Sequence, residues 1–138
     1  MNTIDKQSNE IILHVQDLRT HFYLRTGILK AVDGVTIDVH QREAVGLVGE
    51  SGCGKSVTAF SIMRLIQKPG RIVGGKILFK DRSLLGLTAR SMTQVRGQDI
   101  SMIFQDPMTY LNPVFTVGNQ IMETIQIHRH TEKKEAKE

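Results

Sequence analysis

The chain has 138 residues, 40% hydrophobic and 23% charged, with a formal net charge of +4, enough for one domain with a hydrophobic core. The positive excess is spread out with no basic block, which argues against a nucleic-acid ligand and leaves small phosphate ligands open. The lone Cys53 excludes an internal disulfide and a Cys-rich metal site, and no apolar run reaches the roughly 18 residues that cross a bilayer; any membrane role is expected to come through a partner.

Residues 1–10 form a polar lead-in without the apolar core of a signal peptide. Leu13 and Val15 then alternate with His14 and Gln16, predicting a half-buried strand. A second strand has Val35, Ile37 and Val39 on one side and Thr36, Asp38 and His40 on the other. Thr26-Gly27 between them suits a turn, so the pair predicts an antiparallel sheet solvated on one face. The pattern changes at Ala44-Val45-Gly46-Leu47-Val48, a continuous apolar run that predicts a strand buried on both faces. A Gly-rich loop over 49–54 follows, then a helix from 55 to about 67 with Ala59, Phe60, Ile62, Met63 and Ile66 as its apolar stripe. Pro69-Gly70 ends it.

Residues 76–80, centred on Ile77-Leu78-Phe79, predict a further strand. Thr88 is placed to cap a short helix carrying Met92 and Val95. Residues 100–104 read as a strand, and 105–113, with two prolines, as a loop. Thr116 is placed to cap a helix bearing Val117, Gln120, Ile121, Met122 and Ile125. The stretch 128–138 is polar and rich in helix formers with no terminating residue, as at the start of a solvated helix that continues. His128 and His130, two apart on a helix, fall on different faces and predict no metal site.

Gly49-Glu50-Ser51-Gly52-Cys53-Gly54-Lys55-Ser56 fills every fixed position of the pattern G-x-x-x-x-G-K-[ST]. A polyphosphate needs backbone N–H groups turned inward, and glycines at 49, 52 and 54 permit the required backbone angles and close approach. The helix that follows adds unpaired N–H donors and a partial positive charge. Lys55 supplies a full charge for the β- and γ-phosphates, and the Ser56 hydroxyl is a ligand for Mg2+. Average residue frequencies would produce this match by accident in roughly one chain of this length in a few hundred. Its position after an apolar strand and before a helix lowers those odds further. Cys53 reads as a small tolerated side chain of the loop.

Many families share this loop. Small GTPases and nucleotide kinases place it directly after the first strand, whereas here it begins at residue 49 behind two strands. From Ile11 onward the chain resembles the ABC ATPases. Three segments carry the resemblance: Lys30-Ala31-Val32-Asp33-Gly34-Val35, the run from Gly46 through Ser56, and Met102-Ile103-Phe104-Gln105-Asp106-Pro107-Met108 with Leu111-Asn112-Pro113. The last is similar in particular to the ATPase subunits of oligopeptide, dipeptide and nickel importers.

The resemblance implies an α/β phosphate-loop core with an N-terminal antiparallel β-subdomain, incomplete at its C-terminal end. Residues 11–127 would be the first part of the nucleotide-binding domain and 128–138 the start of a helical subdomain. Gly49, Glu50, Ser51, Gly52, Cys53, Gly54, Lys55, Ser56 and Val57 would hold ATP, with Lys55 also catalytic. Gln105 matches the Q-loop glutamine, a catalytic residue that joins Ser56 in holding Mg2+ and links the nucleotide site to the permease. An amide oxygen is a neutral ligand suited to that task. Residues 106–113 would lie near the permease-facing surface. Phe22 or Tyr23 resembles the A-loop aromatic that stacks on adenine, and spacing favours Phe22.

The implied partners are the transmembrane permease subunits and a second ATPase subunit in a head-to-tail dimer, on the cytoplasmic face of the inner membrane. Two positions depart from the family pattern: Arg42 stands where many relatives have glycine, and Tyr110 where a small residue is common. The acidic strand end, signature segment and switch histidine of a hydrolysing domain are not found in the 138 residues. The alternatives are therefore a truncated, non-catalytic nucleotide-binding or interaction fragment, and a different phosphate-loop enzyme such as a kinase or GTPase.

Overall fold

The computed structural model describes residues 10–106 and 111–129. The expectations placed on residues 1–9, on 107–110 with Tyr110, and on 130–138 with His130 lie outside the described residues, as does the side chain of His128. The chain divides into two units, 1–87 and 88–138.

The first unit is built on a four-stranded antiparallel sheet with strand order β2-β1-β3-β4. Strands β1 (Ile11–Leu24) and β2 (Gly27–His40) form a hairpin closed by Arg25 and Thr26, one residue earlier than the predicted turn. Strand β3 (Gly70–Phe79) pairs with the other edge of β1 and is longer than the predicted 76–80. The two-residue β4 (Arg82–Ser83) follows it. The alternation read from the sequence holds in β2 as far as Val39: Val35, Ile37 and Val39 are half-buried while Thr36 and Asp38 are exposed, and only His40, half-buried too, departs from it. The core is Val15, Leu18, Val32, Met63, Ile77 and Leu84, every one of them buried.

A break in phase crosses this sheet. Asp17 has φ 46, and opposite it Gly34 (φ 88) and Gly75 (φ 94) take the same left-handed sense. The pairing of β1 shifts there on both sides, so the inward face passes from Val15 to Leu18 and Thr20. A one-residue slip in a strand exchanges its faces. On the solvent side Arg19 binds Asp17 at 3.0 Å and Asp33 at 3.5 Å. The hydrogen bond and charge of Asp17 raise the arginine's pKa above its ordinary value.

Helix α1 (Lys55–Ile62) is shorter than predicted. It ends because Arg64, at φ 52, takes the left-handed conformation just past the Met63 cap. Its N–H reaches the Ser61 carbonyl, and the Leu65 N–H reaches that of Phe60, the double closure that glycine usually makes. The guanidinium of Arg64 also donates to Leu84 O at 3.0 Å and Leu87 O at 2.7 Å. The buried side of α1 is Thr58 and Ser61 rather than the expected apolar stripe; Ala59, Phe60, Ile62 and Ile66 are half-buried, and of that stripe Met63 alone is core.

The predicted strand at 44–48 does not form: the segment has no strand pairing, and Val48 is 91% exposed. A strand needs a neighbour for its N–H and C=O groups, and among the described residues none lies beside this run. The predicted strand at 100–104 reduces likewise to one bridge, Arg96 with Ile100, and leaves Ile103 92% exposed.

The second unit contains α2 (Ala89–Gln98) and α3 (Val117–Arg129). Thr88 caps α2 as predicted, accepting from the Ser91 N–H, and Met92 and Val95 are buried. The helical angles break at Arg96 and Gly97. Thr116 accepts from the Asn119 N–H at the start of α3. Gln120 fastens the preceding loop, accepting from the Asn112 N–H and donating to Asn112 O and Phe115 O.

Candidate nucleotide site

The loop at 49–54 turns on two left-handed glycines, Gly52 (φ 82) and Gly54 (φ 96). Gly54 is the N-cap of α1, and a Cβ there would run into the Ala31 carbonyl oxygen of β2. The loop thus meets the hairpin so closely that only glycine fits. Gly49 faces Cys53: a Cβ on Gly49 would stand 2.6 Å from the Cys53 Sγ. The cysteine occupies space that the missing side chain of Gly49 leaves.

Lys55, the first residue of α1, folds back over the loop. Its Nζ donates to Gly49 O at 2.7 Å, Glu50 O at 2.6 Å and Cys53 Sγ at 3.4 Å. Three acceptors match the three protons of an ammonium. Cys53 therefore has a role the sequence did not suggest, as the third acceptor for the loop lysine.

Among the described residues no side chain caps the start of α1, and its first turn holds no acid. The opening N–H groups of a helix have no intrahelical partners, so this end presents free donors and the positive end of the dipole. An uncapped helix start, a glycine loop and a lysine ammonium fit a polyphosphate, which requires donors and cations together. Ser56 is exposed in that first turn and Val57 is half-buried behind it.

Phe22 and Tyr23 part company on β1. From Thr20 onward the strand pairs regularly with β3, Thr20 with Ile72 and Phe22 with Gly70. Phe22 shares the inward face with Thr20, its ring over Gly70, where a Cβ would come within 2.7 Å of Cε1. Tyr23 is 45% exposed and carries Arg71 over its ring at 5.5 Å. Gln105 belongs to the second unit and is exposed. Among the described residues no group of three or more His, Cys, Asp or Glu could hold a metal, and no helix is long and apolar enough to cross a membrane.

Residues 49–57 and Phe22 lie in the first unit, and the sequence missed three side chains that support them: Thr20, Ser61 and Arg64. Nothing in their identity flags them, since a buried threonine, a mid-helix serine and a non-glycine helix terminator carry no pattern.

The antiparallel sheet, the glycine loop and the uncapped helix behind it define a phosphate-loop nucleotide-binding domain. The ABC transporter family model matches residues 32–138. A probable peptide ABC transporter ATP-binding protein of Sinorhizobium fredii is 53% identical over 96% of the chain and 41% of its own length. The oligopeptide transport ATP-binding protein AppD of Bacillus subtilis is 45% identical over 92% of the chain and 39% of its own. Among solved structures, the dimeric ABC transporter cassette MJ0796 superimposes with a TM-score of 0.77 at 19% identity, over 91% of this chain and 52% of that one. The chain belongs to the ABC transporter family, and its fold is that of the ABC ATPase cassettes. It spans about two fifths of the length of the curated relatives it matches.

Proposed function

We propose that this chain forms the ATP-binding part of the ATPase subunit of a bacterial ABC importer for peptides. The observation that carries the reading is the start of α1, with no side-chain cap, no acid, and the Lys55 ammonium drawn over the loop. The loop N–H groups and those of Lys55, Ser56 and Val57 would bind the phosphates, and Lys55 would neutralise the β- and γ-oxygens. Phe22 would stack on adenine, since the Asp17 break turns it, and not Tyr23, to the face that α1 covers. Ser56 would be a ligand for Mg2+, which when bound draws charge from the terminal phosphate.

The names of the relatives, which include peptide and oligopeptide transport proteins, support the peptide class. The partners are then transmembrane permease subunits and a second ATPase subunit in a head-to-tail dimer, with the chain peripheral at the cytoplasmic face of the inner membrane. Gln105 and residues 106–113 are the proposed link to the permease.

Calorimetric titration of the chain with Mg-ATP tests the reading. Wild type binds, and Lys55→Ala weakens binding by about a hundredfold or more, as removal of a charge-assisted contact to several oxygens requires. A cooperatively folded wild type that binds no ATP overturns it.

A further inference from the structure

The contact between the sheet and α1 contains a buried polar link. Thr20 of β1 and Ser61 of α1 are both fully buried, and their hydroxyls lie 2.7 Å apart. Ser61 also donates to the Val57 carbonyl at 2.7 Å. Since its proton is committed there, the Thr20 hydroxyl donates to Ser61 Oγ, giving a relay from Thr20 through Ser61 to Val57. One end lies two residues from Phe22 on the same strand face, about 7 Å along β1. The other lies in the first turn of the helix whose N-terminus faces the phosphate loop.

Apolar contacts hold surfaces together without fixing how far they slide, because burial is not directional. A hydrogen bond has a narrow range of length and angle, and leaving a buried hydroxyl unpaired is costly. Leu18 and Val32, buried on the same sheet, offer apolar surface. The relay is thus a feature of this interface that favours one alignment of strand against helix. The close approach of Gly54 to the Ala31 carbonyl holds the loop end against β2, so the hairpin touches the loop and helix at two fixed points.

We propose that Thr20 and Ser61 are positioning residues that set the distance between the base platform at Phe22 and the phosphate cradle at 49–57. The proposal rests on the nucleotide reading above, with Phe22 as the platform. A ligand that spans both ends, ATP, senses the relay, whereas one that fills only the cradle does not.

The test compares Mg-ATP with magnesium tripolyphosphate, each titrated into the 138-residue chain. Thr20→Val keeps the shape and removes the hydroxyl; Ser61→Ala removes the relay with the best helix former; Thr20→Ser keeps the hydroxyl. The expected result is a roughly three- to tenfold loss of ATP affinity in the first two variants, the range of one net hydrogen bond. Tripolyphosphate affinity stays at the wild-type value, Thr20→Ser binds ATP as wild type does, and the double variant is no worse than Ser61→Ala. Should Thr20→Val not fold, Ser61→Ala carries the comparison. Equal losses for both ligands, or none for ATP, overturn the proposal while the nucleotide reading stands. A wild type that binds tripolyphosphate as well as ATP removes the platform and the proposal with it, and one that binds neither ligand overturns the nucleotide reading.

Discussion

Residues 11–24 and residues 44–48 are both rich in apolar and β-branched side chains, and only the first becomes a strand. Strand β1 has a neighbour on each side, one of them two residues away through the Arg25-Thr26 turn. An antiparallel strand finds its partner in the adjacent sequence. A run suited to burial on both faces belongs to a parallel sheet, whose strands are joined by long crossovers. Apolar pattern therefore states what a segment needs, and pairing decides whether it is met. The phosphate loop hangs between these two conditions, anchored through Gly54 and α1 to the paired sheet and preceded by the unpaired run.

Paired substitutions make the largest test of that contrast. Leu18→Ala, which empties a fully buried site in β1, should cost about 2–5 kcal/mol in denaturant unfolding. Val48→Ala, at a side chain 91% exposed, should change stability by less than about 0.5 kcal/mol. Equal costs would mean that 44–48 is buried in the folded chain and that the two regions do not differ. Lys55→Ala adds a separation of readouts: ATP binding is lost while the unfolding midpoint of the sheet stays where it was.

The phase break offers a smaller effect. A Cβ on Gly75, at φ 94, would stand 2.6 Å from the Leu18 Cα and 2.5 Å from the Asp17 carbonyl oxygen. Gly75→Ala must strain β3 or push β1 away, an expected loss of about 1–3 kcal/mol by thermal unfolding. It should also weaken ATP binding more than tripolyphosphate binding, because it moves the strand bearing Phe22. A variant as stable as wild type would show that the break does not set the sheet's phase.

The phosphate loop was legible because its chemistry demands particular residues in adjacent positions. Caps at Thr88 and Thr116 and the alternation in β2 were legible for the same reason: the signal is local. Which of Phe22 and Tyr23 faces inward could not be read because it depends on the break at Asp17. Continued alternation from Val15 would turn Tyr23 inward, and the break turns Phe22 inward instead. The early end of α1 was hidden because Arg64 makes a closure that glycine normally signals. Thr20 and Ser61 could not be read at all, since 41 positions separate two residues that matter only as a pair.

The smallest effect lies where β2 leaves the paired sheet for the unpaired run. Arg42 sits at φ 64 in the turn after His40, a conformation that costs an L-residue about 1–2 kcal/mol and glycine nothing. Glycine gives back roughly 0.5–1 kcal/mol through the freedom it gains in the unfolded chain. Arg42→Gly should therefore stabilise by about 0.5–1 kcal/mol, and Arg42→Ala, which keeps the strain, should not. Glu43 holds the same turn, accepting from the His40 backbone N–H at 2.7 Å and from its ring at 2.9 Å. Those bonds keep the Glu43 carboxyl below its ordinary 4.5, so its contribution is complete above that pH and fades as pH falls through the lowered value. Measured near neutral pH, the gain from glycine then reports the backbone alone. A loss instead would mean that the Arg42 side chain contributes more than its strained backbone costs, and that the exit from the sheet is held by the arginine.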